Sequence, residues 1–97
     1  MQKEIKIITG DVETTQAFYD DGSLMWERNM KIISKEIAEK RNYQGVIEFL
    51  DGRLGMQIGR SFKNHSNGKL AWELSHDENG KMHGYSSFRS NGERIIN

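Results

Sequence analysis

Apolar and polar positions alternate along most of this 97-residue chain, and the alternation breaks at Gly-marked places. Around Asp51-Gly52 the pattern is clearest. A two-residue turn there predicts Leu50 opposite Arg53, Phe49 opposite Leu54 and Ile47 opposite Met56. Strand side chains alternate between faces. One face would then collect Ile47, Phe49, Leu54, Met56 and Ile58, and the other Glu48, Leu50, Arg53 and Gln57, the pattern of a half-buried hairpin. Asp21-Gly22, Asn67-Gly68, Asn79-Gly80 and Asn91-Gly92 are four more signals of the same kind. A type I′ turn needs positive φ at both central residues, which Asn-Gly and Asp-Gly supply with least strain. Gly68, Gly80 and Gly92 recur every 12 residues, the length of one strand plus one turn.

The repetition extends to side chains. "DGSLMWE" at 21–27 returns as "NGKLAWE" at 67–73. With two-residue turns, Tyr19 pairs with Leu24 and Ala17 with Trp26, while His65, Leu70, Trp72 and Leu74 share a side. The repeated Leu-x-Trp therefore predicts two core-facing positions on the strand leaving each turn. Large aromatics are usually substantially buried, so core packing is the first reading of Trp26 and Trp72. An exposed recognition pair is the rival reading. "EIKIIT" near the N-terminus reads as an opening strand. Residues 28–41 carry no Gly or Pro. Met30 and Ile32 alternate with Lys31 and Ile33, which favours strand with a degenerate turn near Ser34 to Glu36. "SKEIAEKR" has good helix formers but no full capping box, so a short helix around residues 30–41 is the alternative.

Composition narrows the class. The hydrophobic fraction is 35%, below the roughly 45–50% usual for soluble domains, which predicts a thin core. The expectation is one all-β domain over residues 1–97, an antiparallel meander of successive hairpins. Cysteine is absent, which rules out disulfides and thiolate metal sites. The N-terminus lacks the long apolar stretch of a signal peptide and no run has the length of a membrane span. The cytoplasm, of the producing cell or of an infected host, is the expected location. Fourteen basic and 14 acidic side chains give zero formal charge, so no global field draws the chain to nucleic acid or anionic lipid.

The cadence of Asn79, Gly80, Lys81, His83, Gly84, Phe88, Asn91 and Gly92 resembles MORN-like repeats, most of all the variant in the YwqK-type family of antitoxin components. Gly45, Phe49, Asp51, Gly52 and Leu54 form a looser copy, and Phe62, Asn67, Gly68, Lys69 and Leu70 another. The resemblance covers residues 17–27 and 43–97, fails over 28–42 and does not reach 1–16. It implies a sheet of successive hairpins used as a binding scaffold.

Catalytic chemistry finds little support. There is no cysteine nucleophile, no Gly-x-Ser-x-Gly elbow, and the glycines follow turns where a phosphate loop would need strand-loop-helix context. Asn79-Gly80 as a two-residue turn sets His76 opposite His83 and Asp77 opposite Met82. Such a pair lacks an evident third zinc ligand, so neither a metal nor a cofactor is expected. Residues 28–41 mix both charge signs, as solvated faces do. Arg60, Lys63, Lys69, Arg89 and Arg94 share the sheet with Tyr19, Tyr43 and Tyr85, a combination that can stack single-stranded bases.

Together these features predict a small non-enzymatic protein-binding module. It would be an antitoxin or immunity-type inhibitor, or a phage-encoded inhibitor of a host defence enzyme, blocking its target by occlusion. Tyr43, Tyr85, Asp20 and Glu48 are the candidate contacts. The terminal strand "RIIN", with Ile95 and Ile96 near a free edge, suits pairing with a target or a second copy. The alternative is a nucleic-acid or lipid-headgroup binding sheet.

Overall fold

The computed structural model describes residues 3–95. Among them run β1 (Lys3–Thr9), β2 (Val12–Phe18), β3 (Leu24–Ile33), α1 (Lys35–Lys40), β4 (Val46–Glu48), β5 (Leu54–Gln57), β6 (Gly59–Asn64), β7 (Leu70–His76) and β8 (Met82–Ser87). The pairings are antiparallel and give one sheet in the order β1-β2-β3-β6-β7-β8. The N-terminal half of β3 pairs with β6 and the C-terminal half with β5, which carries β4 on its outer side. The chain is therefore an all-β hairpin meander, as the alternation predicts, with one short helix.

The turns differ from the expected type, and the difference moves side chains. In residues 19–23, 49–53, 65–69, 77–81 and 89–93 the first N–H donates to the fifth carbonyl at 2.7–2.9 Å. The glycine N–H donates back to the first carbonyl at 2.9–3.0 Å. Only the glycines have positive φ, between 81° and 91°; Asp21, Asp51, Asn67, Asn79 and Asn91 do not. These are three-residue loops, a type I turn closed by a G1 bulge. The Asx side chain serves another purpose. Asp21, Asp51, Asn67 and Asn91 each accept a hydrogen bond from the N–H two residues on, at 2.9–3.0 Å.

A second bulge follows three of these turns. Phe18 pairs with Leu24 and Ala17 with Trp26, leaving Met25 as the extra residue. Asn64 pairs with Leu70 and Lys63 with Trp72, leaving Ala71; His76 pairs with Met82 and Ser75 with Gly84, leaving His83. Four expectations are corrected. Tyr19 meets Ser23 where Leu24 was expected. Trp26 and Trp72 share a face, but Leu24 and Leu70 lie on the other with Phe18 and Asn64. His76 does not face His83. The β4–β5 hairpin has no second bulge, so Ile47 stands opposite Gly55 and leaves the face that Val46, Leu54 and Met56 share.

Residues 28–41 divide between both readings. Strand continues to Ile33, then Ser34 caps α1 by accepting from Ile37 N–H at 3.2 Å. Ala38 on this helix packs with Ile33 and Met56, flanked by Val46, Leu54 and Ile58, as the core on one side of the sheet. On the other side Glu13, Thr15 and Ala17 of β2 are buried with Met30. Gly55 permits this hairpin to lie close: a Cβ there would stand 2.8 Å from the Phe49 ring and 3.2 Å from the Lys31 carbonyl. Val12 follows Thr9 through a two-residue turn with Gly10 at φ +61°, a hairpin unmarked by the Asx-Gly signature. At the other end Phe88 bridges Arg94, and Ile95 N–H donates to Ser87 at 2.8 Å. Ile96 lies outside the described residues.

The turn carboxylates make the fold acid-sensitive in a defined window. Hydrogen bonds from the Ser23 hydroxyl and N–H hold the Asp21 carboxyl below its ordinary value. The N–H and side chain of Arg53 do the same for Asp51. A carboxyl depressed in the folded state stabilises above its unfolded pKa and loses that contribution as pH falls through the folded value. Asp21→Asn keeps the acceptor and removes the titration. It should melt like the wild type at neutral pH and lose less stability below about pH 4, measured by thermal melts across pH. An unchanged acid slope would refute this assignment.

Candidate functional site

The face that carries Trp26 and Trp72 holds a cavity of about 210 Å³ where β3, β5, β6 and β7 meet. Its walls include both indoles, Leu74, Arg28, Gln57 and Ser61. The paired positions Trp26–Lys63 and Lys63–Trp72 place a lysine in the row between the indoles. The Arg28 guanidinium sits 6.0 Å from the Trp26 ring centroid, within reach of a cation–π contact. Three polar atoms of this wall are buried without a hydrogen-bond partner among the described residues: Arg28 Nε, Gln57 Oε1 and Ser61 Oγ. Ser61 is 2% exposed. Buried polar atoms are normally paired, and Thr15 Oγ1, Arg41 Nε and His76 Nδ1 are buried without a partner in the same way outside this wall.

The opposite face is closed chemically. Thr14 donates to Asn29 at 2.6 Å, Gln16 to Glu27 at 2.7 Å, and Arg60 pairs with Glu73 at 2.8 Å. These cross-strand pairs satisfy one another where α1 and its core do not cover that face.

A second feature is the β4–β5 hairpin. Arg53 at the end of its turn contacts Glu13 of β2 at 2.9 Å and Asp51 at 2.6 Å, which ties the tip down onto the sheet. Leu50 at the corner of that turn is fully exposed. The matching corners of the other turns are Asp20, Ser66, Glu78 and Ser90. Tyr43 and Glu48 line a groove of about 370 Å³ beside the hairpin, with Leu54 and Arg53. Glu48 and Leu50 line another of about 450 Å³ on its other side, together with Lys6 and Arg28.

The four expected contact residues are thus separated. Tyr43 and Glu48 come together at the hairpin. Asp20 sits exposed at the β2–β3 turn, and Tyr85 is exposed on β8 opposite Leu74, one strand beyond the cavity. Leu50 was visible in the sequence as the one apolar residue at the corner of an Asx-Gly turn, but placing it on a polar strand face hid that role. Gln57 and Ser61 carried no local signal; only the β5–β6 bend brings them beside the tryptophans.

Two of the three histidines have separate partners, while His76 Nδ1 is buried without one among the described residues. His83 Nε2 lies 3.3 Å from Asp77, and His65 Nε2 lies 2.8 Å from the Phe88 carbonyl. The Lys81 N–H is the main cause holding the Asp77 carboxyl below its ordinary value. Among the described residues no group of three or more His, Asp and Glu is arranged to hold a metal ion. No helix among them is long and apolar enough to cross a membrane. The chain matches no family model, no curated protein and no solved structure.

Proposed function

We propose that this chain is a non-enzymatic protein-binding module that inhibits its target by steric block. It would act in the cytoplasm as an antitoxin or immunity-type partner of a toxin, or as a phage-encoded inhibitor of a host defence enzyme. Its hairpin scaffold is of the MORN-like kind found in YwqK-type proteins. One observation carries the reading: Leu50, fully exposed at the corner of a turn that is tied down by Arg53. A single exposed leucine is ordinary. Here Ile47 and Tyr43 are exposed around the same hairpin, and the tip is held in place in advance, so docking would cost little ordering entropy. Glu48 supplies charge at the rim of that contact. The outer edge of β1, with Ile7 and Ile8 exposed, and the β8 end of the sheet are the places where a target strand or a second copy would add.

Leu50→Asp tests this directly. The change lies at an exposed corner where the sister turns already carry polar residues, so the melting temperature should stay within a few degrees of wild type. Affinity capture from the native or host lysate should recover one protein in stoichiometric amount with wild type, and at least about tenfold less with the variant. Equal recovery by both proteins would remove the hairpin from the interface. Recovery of bulk RNA or lipid in place of a protein would overturn the inhibitor reading.

A further inference from the structure

We infer that Asn79 is a site of spontaneous covalent modification, at which its junction with Gly80 closes to a succinimide and reopens as aspartate or isoaspartate. This is independent of the protein-binding reading and uses another part of the molecule. The Gly80 backbone nitrogen gives up its proton to water and attacks Cγ of the Asn79 side chain. A bond forms between that nitrogen and Cγ, the bond from Cγ to Nδ2 breaks, and ammonia leaves with the proton that water returns. Water then opens the ring. Breaking the new bond gives aspartate on the original main chain. Breaking the original peptide bond gives isoaspartate, whose main chain runs through Cγ. Water enters, ammonia leaves, and nothing is oxidised or reduced. Glycine favours the closure because it has no Cβ to obstruct it.

The chain has three Asn-Gly junctions, at Asn67, Asn79 and Asn91, and all three asparagines are exposed. They are alike at the nitrogen, since each glycine N–H donates to the first carbonyl of its loop at 2.9–3.0 Å. They differ at the side-chain amide. Asn67 Oδ1 accepts from the Lys69 N–H at 2.9 Å and its Nδ2 donates to the Ser90 carbonyl at 2.6 Å. Asn91 Oδ1 accepts from the Glu93 N–H at 2.9 Å. In the third loop Asp77 has taken over that role: its Oδ1 accepts from the N–H groups of Asn79 and Lys81, both at 2.9 Å. The Asn79 amide is left without a hydrogen bond among the described residues. Asn67 and Asn91 must break hydrogen bonds before Cγ can swing onto the glycine nitrogen, and Asn79 has none to break. The Asp77 charge opposes proton loss at Gly80, but it is engaged by two N–H groups and His83, so the free amide decides the ranking.

The reactive loop is also a closely packed one. A Cβ at Gly80 would stand 3.2 Å from Met56 Sδ and 3.3 Å from Arg41 Nη2, whereas at Gly22, Gly52 and Gly68 it would meet nothing within 4 Å. Met56 belongs to the core with Ile33 and Ala38. Aspartate fits the loop, because Asp21 and Asp51 hold the same place in sister turns. Isoaspartate adds a carbon to a loop closed by the Asp77 N–H on the Lys81 carbonyl at 2.9 Å, and it pushes Gly80 toward Met56. The modification therefore loosens the turn between β7 and β8.

The test holds the folded wild-type protein at neutral pH and follows each junction by peptide mass mapping, with isoaspartate counted by enzymatic carboxyl methylation. A sample in urea supplies the chain without its turns. Asn67 and Asn79 are both followed by Gly-Lys, so each controls for the other's local sequence. Similar rates are expected in urea. In the folded protein Asn79 should lose its amide at least about fivefold faster than Asn67. Asn79→Asp should melt like fresh wild type, and wild type enriched in isoaspartate at 79 should melt lower. Asn67 reacting as fast as Asn79 in the folded protein would overturn the site. An isoaspartate fraction that melts like Asn79→Asp would overturn its effect on the turn.

Discussion

Replacing Arg53 by Met is expected to lower the urea midpoint of the fold clearly, because it leaves the buried carboxylate of Glu13 without its nearest cation. Glu13 is 2% exposed, and its Oε2 lies 2.9 Å from Arg53 while Oε1 lies 3.9 Å from Lys6. Lys6 is more than half exposed, so Arg53 is the partner that offsets most of the cost of burying the carboxylate. Removing it strands a charge, which is far more damaging than the net worth of the pair. Arg53 is itself well fixed. Hydrogen bonds to Asp51 and Glu13 push its guanidinium pKa up, and its Cζ lies 5.1 Å from the Phe49 ring centroid. Because Arg53 keeps solvent contact, the expected loss is smaller than for a fully buried pair. Glu13→Leu combined with Arg53→Met should recover most of the loss, since a matched apolar replacement carries no stranded charge. Urea denaturation of the two single variants and the double variant gives the coupling directly. An unchanged urea midpoint in Arg53→Met would mean that Glu13 finds water or another cation. The same variant frees the hairpin tip, so it should also weaken partner capture through Leu50 although residue 50 is unchanged.

The hairpin architecture was legible because each Asx-Gly sits between alternating residues, and the backbone reverses at all five. Register was not legible. Asn-Gly and Asp-Gly satisfy a type I′ turn, and they satisfy equally a type I turn with a G1 bulge, where glycine alone takes the left-handed position. The two differ by one residue in pairing. That difference sends Leu24 and Leu70 to the face opposite Trp26 and Trp72. The second bulge, at Met25 and Ala71, has no sequence mark of its own. It restores the expected Ala17–Trp26 pairing, so one prediction holds for a reason the local pattern does not contain. In the β7–β8 hairpin the turn's one-residue shift gives His76 to Met82, and the second bulge leaves His83 as the extra residue.

The short helix shows a different limit. Lys35–Lys40 is too short to be stable from propensity alone, and its formation rests on Ala38 packing against Ile33 and Met56. The period-2 pattern of Met30 to Ile33 is genuine and ends at Ser34, where the hydroxyl caps the next turn. The groove at the tryptophans was least legible, because distant segments converge on it. Gln57, Ser61 and Arg28 are unremarkable singly, and they meet through the bend at Ile58-Gly59, with Gly59 at φ +64°. That bend lets one stretch of chain pair β3 twice, through β5 and then β6. The hairpin latch and the tryptophan cavity are thus two outcomes of the same departure from a regular ladder.

Met30→Ala should cost about 3 kcal/mol, within the usual range for emptying a buried long side chain. Met30 is 1% exposed and stands between Glu13 on β2 and Gln57 on β5. It therefore fills the space between the buried carboxylate and one wall of the cavity. Met30→Leu conserves volume and should lose under about 1.5 kcal/mol. The void left by alanine is not wholly apolar, because Glu13 borders it, so water can enter and solvate the carboxylate. Once that happens, Arg53 matters less. Met30→Ala and Arg53→Met together should then lose clearly less stability than the sum of the two alone. Additive losses in urea denaturation would show that the void stays dry and that Glu13 depends on Arg53 as before.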